Sequence, residues 1–228
     1  MQYFLIFLIE LSVLFFLSKS LTKTLSQALL FITKSRKFTV TIIALLFFPG
    51  VVIHELAHLL TAGILFVPVG DIELTPQVRE NGEVRLGSVA VAKTDPIRGM
   101  IIGIAPILFG LTVIVGVPYF LSGNITFVFA ALTIYLLFVV GNTMFSSRKD
   151  LEGMVELFVI LLILALAFYI IDFRWPLDAF PSFLNRESSV LFFKQINTFL
   201  LWTIAIDAIA VTGIKLVGSV ICKYRSRN

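Results

Sequence analysis

Residues 39–66 read TVTIIALLFFPGVVIHELAHLLTAGILF, an apolar run interrupted by His54-Glu55-Leu56-Ala57-His58. The run exceeds the about 20 residues that a helix needs to cross a bilayer. On a helix, the four-residue step from His54 to His58 is about one turn, so both imidazoles point to one side and can share a metal ion. Two imidazoles and a carboxylate so close together in an apolar helix must be satisfied inside lipid, where unpaired polar groups are expensive. His54 and His58 are also the only histidines in the chain. The stretch therefore predicts a membrane-spanning helix in which His54 and His58 hold zinc and Glu55, beside them, is the general base.

The composition around this helix is that of a membrane protein. Of 228 residues, 58% are hydrophobic and 14% are charged, with 23 Phe, and mean hydropathy is +1.01. These values exclude an ordinary water-soluble enzyme. The length allows about six spans at about 20 residues each, with no room for a soluble domain. Residues 1–228 thus read as a single, integral, multi-pass transmembrane domain. The net charge of +4 comes from Lys and Arg in connectors and near Lys223, Arg225 and Arg227. Basic groups beside apolar spans point to anionic lipid headgroups as partners, and nothing points to nucleic acid. A lone cysteine, Cys222, cannot form an internal disulfide. The first segment lacks a basic n-region and a small-residue cleavage site, so it reads as a retained helix.

The predicted fold is all-α and polytopic, with about six transmembrane helices at residues 3–17, 39–66, 96–121, 125–145, 154–171 and 199–221. Residues 19–37 read as an interfacial connector, and 172–198 as a second one containing Trp175-Pro176 and Phe180-Pro181. Between the second and third spans the period changes. Ile72, Leu74, Val84, Leu86, Val89 and Val91 partly alternate with polar or small residues around Asn81-Gly82, which predicts a small β-hairpin. Glu10 and Asp207, inside spans, are expected to face the bundle interior.

A catalytic zinc site has three protein ligands and an open position, so a third ligand is owed. The polar break at 146–153 follows the fourth span and reaches the membrane side toward which His54 and His58 point. Asp150 in that break is the leading candidate, with Glu152 and Glu156 as rivals.

His54-Glu55-x-x-His58 in a membrane helix, with Asp150 some ninety residues later and Asn142 eight residues before it, resembles the site-2 protease family of intramembrane metalloproteases. The resemblance covers residues 40–155. It implies one zinc held by His54, His58 and Asp150, Glu55 as base, and Asn142 near the substrate backbone. It also implies transmembrane proteins as substrates and likens residues 67–95 to a β element that pairs with an unwound substrate. Two other readings fit the same residues: a membrane zinc protease of another class with a downstream Glu as ligand, and a non-catalytic protein that binds metal or client proteins.

Overall fold

Neither Gly nor Pro occurs before Pro49, and the chain forms two long helices there with one sharp reversal between them. In the computed structural model, α1 spans Gln2–Thr33 and ends at Lys34, whose left-handed backbone (φ 54°) sends its N–H to the Leu30 carbonyl. Ser35 then caps α2 (Arg36–Ile64) by accepting the Phe38 N–H. The expected break between a first span and an interfacial connector is absent, because Lys19 and Lys23 lie within the 32-residue α1. Lysine is a good helix former whose apolar stem covers neighbouring surface, and the Lys19 ammonium lies 5.7 Å from the centre of the Phe15 ring.

The structure describes residues 1–78, 84–121, 126–145, 148–173 and 175–225, with backbone alone at 77–78, 84–85, 118–121, 148–154, 156–158, 161, 175–178 and 219–225. After α2 come β1 (Val69–Glu73), β2 (Gln77–Val78), β3 (Val84–Arg85) and β4 (Ser88–Val91). β1 pairs antiparallel with β4, and β2 with β3, so two short sheets nest as one interrupted hairpin. The β element expected between the second and third spans is present, while its Asn81-Gly82 turn lies outside the described residues.

The path continues through α3 (Pro96–Leu121), α4 (Phe127–Thr143), α5 (Arg148–Ile170), α6 (Trp175–Leu184) and α7 (Glu187–Arg225). Asp95 starts α3 by accepting the Arg98 N–H at 3.0 Å, and that backbone hydrogen bond holds its carboxyl below the usual range. Residues 187–198, expected in a connector, are the first turns of the 39-residue α7.

Four described helices, α1, α2, α3 and α7, are long and apolar enough to cross a bilayer. α4, with 17 residues, reaches about 26 Å and falls short of a hydrocarbon core of about 30 Å. The start of α7 meets the start of α1: Asn197 donates to the Tyr3 carbonyl, and Phe193 packs on Phe4 and Phe7. Further along, Ser18 of α1 and Asp207 of α7 meet at Asn142. The two helices therefore run parallel. Six alternating crossings would set the first and last antiparallel, so the path differs from the one expected.

One core joins five helices through Leu14, Phe47, Val51, Ile107, Val140 and Leu200, among others. One close crossing is at Gly50 of α2. A Cβ there would stand 2.5 Å from Thr143 Oγ1 and 2.6 Å from the Val139 carbonyl oxygen of α4. The obstacle includes backbone, so a side chain at residue 50 forces the helices apart. Gly50→Val is expected to destabilise the protein by about 1–3 kcal/mol or more. Gly63→Ala in the same helix, where a Cβ meets nothing within 4 Å, is expected to be neutral or stabilising by up to about 1 kcal/mol. Unfolding titrations of the two variants in detergent check the contrast.

Candidate metal centre

The motif occupies the inward face of α2. Phe47, Gly50, Val51, His54, Glu55, His58 and Ala62 are buried there, whereas Leu56, Leu60 and Ile64 face outward. This stripe follows from spacings of three and four residues on an otherwise apolar helix. Relative exposures are 4% for His54, 7% for Glu55 and 9% for His58, so the metal chemistry predicted for them would run out of contact with bulk water.

The imidazole rings of His54 and His58 have centroids 4.9 Å apart and planes at 82°. Two imidazoles ligating one tetrahedral zinc through Zn–N bonds of about 2.0–2.1 Å have centroids about 5 Å apart. The two residues therefore fit a shared zinc ion. His58 Nδ1 lies 2.9 Å from the main-chain carbonyl oxygen of Ile102 in α3. A carbonyl oxygen only accepts, so Nδ1 carries the proton and donates. In the neutral ring this leaves the Nε2 lone pair to a metal.

The β element lies over the base. A Cβ built on Gly87 would stand 2.6 Å from Val51 Cγ1 and 3.1 Å from Glu55 Oε1. The backbone between β3 and β4 thus lies on the α2 turn that bears Glu55, and a side chain at residue 87 would have to displace the Val51 and Glu55 side chains. Leu74 and Leu86 pack on the main core, and Val67, Val69 and Val91 close on Ala62 and Ile102. These contacts anchor the element on both sides of the motif.

Asp150 lies in the first turn of α5, and its side chain, like those of Glu152 and Glu156, is outside the described residues. Among the described residues no group of three His, Cys, Asp or Glu side chains could hold a metal. Asn142 ends α4 at the centre of the bundle. Its amide donates to the Phe138 carbonyl at 2.8 Å and to Asp207 Oδ1 at 2.7 Å, and its own carbonyl accepts the Ser18 hydroxyl at 3.0 Å. Asp207, expected to face inward, is fully buried and is tied to Asn142.

Sequence reasoning missed three features. The Gly87 approach carries a weak signal, a glycine interrupting a strand pattern. The Ile102 contact is made by main chain and has no residue type of its own. The Asn142–Asp207 bond joins positions 65 residues apart, with no local pattern linking them. Comparison of the chain with family models, curated proteins and solved structures found no significant match.

The crossing at Gly87 is directly testable. With Cys222→Ser removing the native thiol, Val51→Cys and Gly87→Cys together are expected to form a disulfide under mild oxidation, since their Cβ atoms lie near the roughly 3.5–4.5 Å that a disulfide requires. Mass spectrometry of the intact chain reads the loss of two hydrogens. Two free thiols after oxidation would place the β element elsewhere.

Proposed function

We propose that this chain is an intramembrane zinc metalloprotease of the kind that the site-2 protease resemblance implies. Its substrates are other membrane proteins, cut within or beside their transmembrane segments. The observation that carries the proposal is the buried pair His54 and His58 at zinc-sharing distance, with the Glu55 carboxylate buried beside them in an apolar helix. Mere metal storage has no use for that carboxylate at that place.

His54, His58 and Asp150 would hold the zinc, which when bound would supply Lewis acidity to polarise a carbonyl and acidify water. Glu55 takes a proton from the attacking water and passes it to the leaving nitrogen as the C–N bond breaks, which yields a carboxylate and an amine. The path of the chain supports Asp150 as the third ligand: α4 packs on α2 one turn before His54, and α5, whose first turn includes residue 150, begins within a few residues of the end of α4. Asn142 has both amide hydrogens engaged, so the group it has left for a substrate is the acceptor Oδ1, which has no partner among the described residues.

A helical substrate hides its backbone carbonyls and must be unwound before cleavage. β4 offers a place for the extended form. The Ala92 N–H donates to the Pro68 carbonyl at 3.0 Å, so Val91, and by alternation Val89, turn their N–H and C=O groups away from β1. Among the described residues no strand pairs with that edge. The strand begins at Ser88, next to the glycine that lies on Glu55. A segment added along β4 is therefore led to the base.

The purified protein is expected to carry about one zinc per chain and to lose it on His54→Ala or His58→Ala. Glu55→Gln should keep the metal while hydrolysis of a reconstituted membrane segment falls by roughly 100-fold or more. Zinc-free folded wild type, or a Glu55→Gln variant that cuts at the wild-type rate, would sink the proposal.

The third ligand is decided by zinc retention under a graded chelator. Asp150→Ala should release the metal early and abolish turnover, and Glu156→Ala should mostly spare both. The reverse result would assign the chain to a zinc protease class with a downstream glutamate ligand.

A further inference from the structure

Ile102 lies inside α3, and a carbonyl inside an α-helix ordinarily accepts the N–H of the residue four positions later. Four positions later is Pro106, which has no N–H. The carbonyl that holds His58 is thus the one carbonyl of that turn that its own helix cannot bond in the usual way. We propose that Pro106 is a positioning residue for His58: by withholding a backbone donor it reserves the Ile102 carbonyl for Nδ1–H, which orients the ring and makes Nε2 the unprotonated, metal-ligating nitrogen. The inference rests on the reading of His58 as a zinc ligand.

Each half of the arrangement explains the other. An orphan carbonyl within a membrane span is expensive, and a proline is tolerated there when a neighbouring helix supplies the missing donor. His58 is that donor, at 2.9 Å. Pro106 is less than 2% exposed, Ile102 5% and His58 9%, so bulk water does not compete for the bond. The turn is also locked in rotation. Ala105 and Ile107 on either side of the proline are buried, and the Ile102 side chain is wedged against Ala62 and Val67. A neutral imidazole can carry its proton on either nitrogen, and the partner of one nitrogen decides the role of the other. The carbonyl at residue 102 makes that choice for His58.

The test uses Pro106→Ala, which returns an N–H to the position that competes for the carbonyl and suits an α-helix better than proline does. A second variant, Pro106→lactic acid introduced as a backbone ester, lacks both the ring and the N–H. Because the chain has only two histidines, ¹⁵N labelling of histidine reports just four ring nitrogens, and His54→Ala assigns them. In metal-free protein near pH 8, where imidazoles are neutral, His58 is expected to be protonated at Nδ1 in the wild type and in the ester. In Pro106→Ala the proton should shift toward Nε2. Zinc affinity, measured by chelator competition, should weaken about 10- to 100-fold in Pro106→Ala and stay near wild type in the ester.

Wild-type tautomer and affinity in Pro106→Ala would overturn the inference. So would equal weakening in both variants, which would trace the effect to the proline ring and not to the missing donor. If Pro106→Ala fails to fold, the ester against the wild type decides by the same two readouts. A wild type that binds no zinc would end the metal reading, while the ring nitrogens would still report whether Pro106 sets the hydrogen bond of His58.

Discussion

Four helices of this chain are long and apolar enough to cross a bilayer, and in such surroundings a buried polar group depends on partners within the protein, a constraint that the links between these helices fit. The His58 ring is held by a carbonyl of α3 and the Asn142 amide by a carboxylate of α7. The Ser18 hydroxyl of α1 closes on a carbonyl of α4, and the Tyr135 hydroxyl of α4 on the Leu46 carbonyl of α2. Each bond joins different helices, and together they fix which helices are neighbours. The apolar contacts then fill the space between them. Where lipid surrounds a bundle it competes for apolar contact almost as well as protein does, so polar links of this kind would carry much of the specificity.

Glycine sets how near the links can come. At Gly50 the backbones of α2 and α4 approach until no side chain fits, and Gly87 brings the β element down on the turn that bears Glu55. The motif is thereby enclosed by α3, by the β element and by the neighbourhood of the α4 terminus. Enclosure matters for acid–base chemistry, because charges and dipoles act more strongly on a reacting group when water is kept away.

Much of this was legible in the residues. The motif stretch formed the expected inward stripe because its polar groups recur at helical spacing, and the partial alternation from Ile72 to Val91 lies in a segment that formed strands. The parallel pairing of α1 with α7 was not legible. Interfacial lysines and a polar start to the last span read as connectors, yet without Gly or Pro between residues 2 and 33 nothing stops a helix from running on through them. The partner of Asn142 was hidden for a different reason: a hydrogen bond between distant positions depends on which helices become neighbours, and that depends on the whole path. Pro106 stood in plain view, but its meaning depends on which helix faces residue 102.

The parallel pairing of the first helix with the last has a consequence in time. Ribosomal synthesis delivers α2, α3 and α4, and with them the motif and its carbonyl anchor, well before α7 exists. The Asn142–Asp207 bond must wait for 65 further residues, and until they emerge α1 lacks its most extensive neighbour. The residues of the motif and of its carbonyl anchor are therefore all synthesised before α1 can pair with α7. It is α7 that brings the Asp207 carboxylate to Asn142, so a product truncated before α7 would leave that asparagine, among the described residues, bonded only within its own helix and to α1.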